Sequence, residues 1–365
     1  MGDAHRIGVV GLGVISRAYL DTLVGCDAVR VTAVADLDAS RSAAVAAELP
    51  GVRALSVEEL LNSPDVDTVL NLTVPAAHAE IALGAVARGK NVYGEKPLAA
   101  ELFDAQAVLE AAAKASVRVG CAPDTVLGTG VQTARAAVEA GAIGRPLFAT
   151  AVMVTPGHER WHPQPDFYYA PGGGPLLDMG PYYLSSLVHL LGPVRAVIGA
   201  SSRLRSERVI GSGPRAGERI PVEVDSHVSG VLEHRGGALT TLTTSFDGVA
   251  TTAAPIEVHG ETGTLTLPDP NHFDGEVRLL ELGGSERRAL PPSAGYVDGA
   301  RGVGLLDFVA ADGGRPERAS GELALHVLET MTALLRSSAE GRRIELSTSV
   351  ERPAPVPLTP AEQWR

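Results

Sequence analysis

Apolar and polar positions fall into two patterns along the chain. From residue 6 to about residue 122, short apolar runs alternate with segments of helical spacing. Residues 6–10 predict a strand that ends in a glycine turn. Ile15, Ala18, Tyr19 and Leu23 then recur on one helical face. Residues 29–35 predict a second strand, which stops at Asp36. Ser56 followed by Glu59 three residues on is a capping box that opens a short helix. Strands at 68–73, 91–93 and 117–122 alternate with helices at 76–87 and 101–115. Strands separated by helices require right-handed crossovers, so the expectation is a parallel sheet covered on both faces.

Beyond about Asp124 the pattern changes. A helix at 131–140 leads to a strand at 146–154, and a Pro- and Gly-rich loop runs to Pro175. Leu184, Leu187, Val188 and Leu191 share a helical face over 181–191, with Pro181 suited to the first position and Gly192-Pro193 as the stop. Strand-like runs follow at 194–201, 227–234, 239–246, 256–259 and 277–282. Adjacent strands without intervening helices predict an antiparallel or mixed open sheet. Leu325, Leu328, Met331, Thr332 and Leu335 mark a last helix, and a Pro-rich tail begins at Pro353. The expected division is therefore an α/β domain over 1–124 and an α+β domain over 125–365.

A chain of 365 residues has the length of two domains. Asp and Glu number 43 against 31 Lys and Arg, a net charge of −12, and no basic run follows a phosphate backbone, so nucleic acid is not an expected partner. No apolar run reaches the length of a membrane helix and no signal peptide is read at the start, which gives a cytoplasmic expectation. Cys26 and Cys121 are far apart in sequence and read as buried small hydrophobes. Lysine occurs only at Lys90, Lys96 and Lys114, so each lysine carries more information than usual. Of the 15 aromatic residues six lie between Trp161 and Tyr183, which suggests a pocket wall.

Gly11-Leu12-Gly13-Val14-Ile15-Ser16 is a G-x-G-x-x-S turn between strand and helix, where absent side chains let the backbone approach a pyrophosphate at the positive helix end. Asp36 closes the second strand about 20 residues later, where an acid accepts hydrogen bonds from an adenosine ribose. Asp36 repels a 2′-phosphate, which favours NAD over NADP even with Arg41 nearby. Glu95-Lys96-Pro97 stands at the carboxyl end of a parallel strand, where such folds place ligands, and its proline permits a cis bond.

These motifs, together with Thr73-Val74-Pro75-Ala76-Ala77-His78 and with Gly172-Gly173-Gly174 leading to Asp178-Met179-Gly180, resemble the glucose-fructose oxidoreductase, inositol dehydrogenase and rhizopine catabolism (Gfo/Idh/MocA) family over nearly the whole chain. The resemblance implies an N-terminal Rossmann domain and a C-terminal open-sheet domain for substrate and oligomerisation. It also implies hydride exchange between a nicotinamide and a sugar or cyclitol carbon. Gly11, Gly13, Val14, Ile15, Asp36, Thr73, Pro75, His78, Glu95 and Lys96 are then the expected cofactor residues, with Lys96 near the reacting oxygen.

The family pattern Asp-x-Gly-x-His reads here Asp178-Met179-Gly180-Pro181-Tyr182. A tyrosine titrates near 10, so as a base it needs help. Lys96 and the positive end of a helix starting at Pro181 supply it in this reading, in which Tyr182 exchanges the hydroxyl proton, Lys96 polarises the oxygen and Asp178 orients the sugar. Asp124, Trp161, His162, Tyr168, Asp178 and Tyr182 are the expected substrate residues. His158, Glu159 and His162 are too poorly spaced in a loop for a metal site, and none is expected. The function expected is an NAD-dependent dehydrogenase or reductase of a sugar, glycoside or cyclitol secondary alcohol. The alternatives are a redox-neutral glycosidase that retains its NAD and a non-catalytic NAD-binding regulator. A homodimer or homotetramer is expected.

Overall fold

The computed structural model describes residues 4–311 and 317–365. In chain order the first elements are β1 (His5–Val10), α1 (Ser16–Leu23), β2 (Val29–Ala35), α2 (Ala39–Glu48), β3 (Arg53–Ala54), α3 (Val57–Asn62), β4 (Thr68–Asn71), α4 (Pro75–Val86), β5 (Asn91–Gly94), α5 (Leu102–Ala115) and β6 (Val119–Cys121). Then come α6 (Thr129–Glu139), β7 (Pro146–Val154), α7 (Pro175–Leu191), β8 (Val194–Ser202), β9 (Glu207–Val209), β10 (Arg219–Pro221), β11 (His227–His234) and β12 (Leu239–Ser245). The chain ends through β13 (Ile256–Gly260), β14 (Gly263–Leu267), β15 (Val277–Glu281), β16 (Arg288–Leu290), α8 (Val303–Ala310), α9 (Gly321–Glu340), β17 (Ile344–Glu345) and α10 (Ala361–Trp364).

The chain forms two compact units. One comprises Met1–Thr129, Ala294–Leu325 and Pro353–Arg365 in their described residues, the other Gly130–Ser293 and His326–Arg352. The first crossing lies close to the expected boundary after residue 124. The expectation that everything beyond it belongs to the second domain is corrected by the two returning segments. They return because their apolar and polar groups find partners there. Phe308 on α8 packs edge-on against Tyr93 of β5 with ring centres 5.8 Å apart, and Arg118 donates to the Phe308 carbonyl at 2.8 Å. In the tail, Trp364 donates through Nε1 to the Val297 carbonyl at 2.9 Å.

In the first unit the six strands run β3-β2-β1-β4-β5-β6, every pair parallel. Ile7, Val9, Val34, Val69, Leu70 and Val92 are buried between helical layers, as a sheet covered on both faces demands. The order reverses between β1 and β4, so the crevice for a ligand opens at the carboxyl ends of those strands. The two-residue edge strand β3 lacks the apolar run that marks the others in sequence.

The second unit is built on a nine-stranded sheet, β16-β15-β14-β13-β7-β12-β11-β8-β17, in which β12 and β7 pair in parallel and the remaining neighbours are antiparallel. Ala149, Ala151, Met153, Val228, Leu232, Leu242 and Val258 face the helical layer and are buried. The alternate positions Phe148, Leu239 and Ile198 remain exposed, and Phe148 stacks on His259 at 4.3 Å. Helix α7 begins at Pro175, with Pro181 inside it. The expected start at Pro181 is thus corrected: Pro175 is the proline at the first turn, and Gly174 ends the loop before it.

His326 in α9 is fully buried. Its Nε2 accepts from the Val194 amide at 3.0 Å and its Nδ1–H donates to Thr348 Oγ1 at 2.8 Å, a pattern that requires the neutral ring. Burial lowers its pKa to about 4. In the unfolded chain, where histidine titrates near 6.5, the ring binds a proton that the folded state refuses. The stabilisation is therefore complete above about pH 6.5 and is lost as pH falls from there towards 4, by about 3 kcal/mol. Urea unfolding of wild type and His326→Gln across that window checks this, the variant being expected to show a shallower loss.

Candidate functional site

In the first unit the expected cofactor residues converge on the carboxyl edge of the sheet: Gly11 after β1, Asp36 after β2, Thr73 after β4 and Glu95 after β5. Gly11 has φ +93°, and a Cβ there would lie 2.6 Å from the Leu72 carbonyl, so only glycine closes this turn. Gly13 has open space where a side chain would stand, leaving the backbone bare at the start of α1. A cavity of about 660 Å³ lies beside it, lined by Leu12, Gly13, Val14 and Arg41 among others.

Asp36 is fixed from two sides. Its Oδ2 accepts from the Leu12 amide at 2.7 Å and its Oδ1 from the Asp38 amide at 2.9 Å. Each oxygen keeps a lone pair for a ribose hydroxyl. Val14 is 99% exposed and Leu37 100%, and Val74 is exposed after β4. Apolar side chains left uncovered around a polar turn are the surface that an adenine or nicotinamide ring buries. A bare glycine turn, a tethered acid and open apolar faces together fit a dinucleotide.

Thr73 donates through Oγ1 to Asn71 Oδ1 at 2.6 Å, and Pro75 opens α4. His78 is 2% exposed, with Nδ1 2.6 Å from the Pro97 carbonyl and Nε2 3.0 Å from that of Thr73. Its ring spans two loops, that of Thr73 and that of Lys96, and its contacts are with main chain. Lys96-Pro97 is a cis peptide. Glu95 Oε1 accepts from the Tyr19 hydroxyl at 2.7 Å, and its Oε2 from the Lys96 amide at 3.1 Å. Burial, with Glu95 beside it, pushes the Tyr19 phenol well above its ordinary value, so it remains a neutral donor. Sequence spacing gave Tyr19 only as one of a row of apolar helix residues. Its hydroxyl partner, 76 residues away, leaves no local signal.

Asp124, expected to touch substrate, is corrected. It is fully buried, and Oδ2 accepts from the Gly302 amide at 2.7 Å and that of Gly304 at 3.3 Å, while Arg301 reaches Oδ1 at 3.3 Å. This carboxylate caps α8. Burial raises its pKa, which Arg301 and the amides oppose.

In the second unit the loop over 155–174 carries the aromatic cluster. Trp161 is 59% exposed, and His162 lies edge-on to Trp161 at 5.4 Å and to Tyr168 at 5.5 Å. A buried ion network anchors the loop: Tyr169 hydrogen-bonds Glu159, and Arg208 on β9 reaches Glu159 Oε1 at 3.3 Å and the Phe246 carbonyl at 3.0 Å. A Cβ on Gly173 would lie 2.4 Å from the Phe167 carbonyl, so the glycine turn lets the loop close onto the start of α7. Asp178 stands in the first turn of α7 and Tyr182 one turn later, largely buried. His158 Nε2 lies 3.0 Å from Asp178 Oδ2. Of the three residues weighed for a metal, His158 thus turns to Asp178 and Glu159 to Tyr169 and Arg208.

Asp36→Ala is expected to raise the Kd for NADH about 10- to 100-fold, the loss of hydrogen bonds to a charged acceptor. Asp36→Ser is expected to narrow a preference of NADH over NADPH that is at least tenfold in wild type, since the carboxylate repels a 2′-phosphate. Nicotinamide fluorescence titration reads both.

Two family models match. Residues 5–122 match an oxidoreductase family with an NAD-binding Rossmann fold, and residues 131–266 match the GFO/IDH/MocA C-terminal domain. The chain is 30% identical to a 1,5-anhydro-D-fructose reductase of Ensifer adhaerens over 95% of its own length and all of the relative's. It is 28% identical to a myo-inositol 2-dehydrogenase of Thermotoga maritima over 71% of this chain and 74% of that one. In fold it is similar to a levoglucosan dehydrogenase, with a TM-score of 0.81 at 21% identity over 96% of this chain and all of the other. Both family models and a relative of 30% identity along nearly the whole chain agree with the glycine turn and the Glu95-Lys96-Pro97 segment, and the chain belongs to the Gfo/Idh/MocA family of oxidoreductases.

Proposed function

We propose that the chain is an NAD-dependent dehydrogenase or reductase acting on a secondary alcohol of a sugar, glycoside or cyclitol. The observation that carries the reading is that Glu95 and Lys96 follow β5 at the carboxyl edge of the first unit's sheet, where Tyr19 and the Lys96 amide hold the Glu95 carboxylate. The relatives named above, which reduce an anhydro-sugar or oxidise a cyclitol, support the same substrate class. When bound, the dinucleotide supplies hydride exchange. Glu95, held by Tyr19, receives a ribose hydroxyl, and the Glu95-Lys96 loop is braced from below by His78. Lys96 holds the reacting oxygen as a cation, and in the second unit Asp178, Tyr182, Trp161, His162 and Tyr168 supply the substrate-facing side chains. NAD rather than NADP fits Asp36.

Among the described residues no helix is long and apolar enough to cross a membrane. The exposed row of Phe148, Leu239 and Ile198 on the open face of the nine-stranded sheet supports a homodimer or homotetramer that covers it. Sedimentation is expected to give two or four copies, and a monomer at working concentration overturns this.

Purified protein with NAD and a panel of myo-inositol, levoglucosan, free sugars and intact glycosides, and with NADH and 1,5-anhydro-D-fructose, is expected to change the absorbance of reduced nicotinamide with at least one compound. Lys96→Met is expected to lower kcat by about 10²- to 10⁴-fold. Glycoside consumed without net NADH points instead to the redox-neutral glycosidase, and tight NAD binding without turnover to a regulator.

A further inference from the structure

The proton of the reacting hydroxyl needs an acceptor. Tyr182 loses one of the two supports that would make it a base. With α7 starting at Pro175, the positive helix end lies at 174–177, and the macrodipole falls off within the first turn. Asp178 takes that favourable position instead. It stands four residues before Tyr182 on the same helix, so its negative charge opposes a tyrosinate.

We propose that His158 is the proton-exchanging residue, with Asp178 as its positioning partner; this rests on the dehydrogenase reading above. A carboxylate oxygen only accepts, so the 3.0 Å contact assigns the proton to Nε2 of His158 and leaves Nδ1 as the lone pair. Among the described residues no second hydrogen bond holds the ring. The pair is enclosed, its side chains 11% and 19% exposed. The rings of Tyr168 and Phe246 lie 4.5 Å from His158 and that of Trp161 5.3 Å, which fixes the plane of the imidazole.

The groups around the ring divide cleanly. Asp178 approaches from α7, and Tyr168 from its own loop. Glu159, next in sequence, is turned away to Tyr169 and Arg208, while Asp247 after β12 pairs with Arg208. Asp178 is therefore the carboxylate that acts on His158. A base oriented by a carboxylate on its far nitrogen is the arrangement that general-base catalysis uses. In alcohol oxidation the O–H bond breaks and its proton goes to Nδ1. The O–H electron pair forms the C=O bond as the hydride leaves carbon with the C–H pair for the oxidised nicotinamide that the dehydrogenase reading supplies. Reduction runs the same transfers backwards, from the imidazolium.

His158→Asn is expected to lower kcat about 10²- to 10⁴-fold with NADH affinity unchanged, and to abolish the acid limb of the kcat profile over pH. Tyr182→Phe is expected to cost tenfold or less and to keep that limb. Wild-type turnover and pH profile retained by His158→Asn overturn the proposal, as does an acid limb that Tyr182→Phe alone removes. A wild type inactive on the whole panel is a failure of the dehydrogenase reading instead. In that event ¹⁵N NMR of the His158 ring still decides the pair: a ring protonated at Nε2 in wild type, and mixed between tautomers in Asp178→Asn, supports it, while an Nδ1–H ring overturns it.

Discussion

The close approach of Gly11 to the main chain of Leu72 fixes the cofactor edge of the first unit. At that point β1 and β4 diverge in topological order, and the turn fits between them because no side chain fills it. The Leu12 amide then reaches Asp36, which ties the end of β2 to the same turn. The Leu72 amide bonds Val10, and the Glu95 amide bonds Asn71, so the ends of four strands are held in one row by main-chain hydrogen bonds. Once that row is set, the ligand-facing groups need little further adjustment. Asp36, Glu95 and the bare turn stand where the strands deliver them.

Beneath this edge lies a layer of polar residues whose partners are within the protein. Tyr19 holds Glu95, His78 bridges the loops of Thr73 and Lys96, and Asn71 takes the Thr73 hydroxyl while donating to the His78 carbonyl. Buried polar groups that lose a partner cost about 1 to 3 kcal/mol each, so these contacts hold the loop geometry against the mobility that loops otherwise show. Val14, Leu37 and Val74 are left exposed around them, beside charged side chains such as Arg41. Uncovered apolar side chains beside a bare glycine turn are the kind of surface that a flat ring buries.

The parallel sheet, most of its strands and helices and its glycine turn were legible because each rests on local periodicity and a short motif, while α2 (Ala39–Glu48) was not read. Most strands of the second sheet were legible for the same reason, whereas β3, β9, β10, β14, β16 and β17 were not, being short or without a clear apolar run. The start of α7 was misread because two prolines six residues apart both suit a first turn, and burial of both over a continuous helix decides between them. Scarcity of lysine singled out Lys96 but equally Lys90, whose ammonium is spent on the carbonyls of Ser63 and Val66. Asp124 looked like a pocket acid from its place after β6. Only the return of α8, nearly 180 residues later, turns it into a cap. Long-range partners of this kind leave no trace in spacing.

The departure at position 182 and the neighbour of Asp178 have one explanation. On a helix, residue 182 stands one turn from Asp178 and shares its face, so a histidine there would compete with any other imidazole for the same carboxylate. A tyrosine does not need that carboxylate, since its hydroxyl is neutral and titrates near 10. Asp178 Oδ2 lies 3.0 Å from a ring that comes from outside the helix, and the loop delivers that ring, His158, anchored by the Glu159 and Arg208 network one residue on. The acid in the first turn of α7 is common to both arrangements. What changes is which segment of chain brings the imidazole to it, and that is a matter of loop folding that a helix motif alone does not contain.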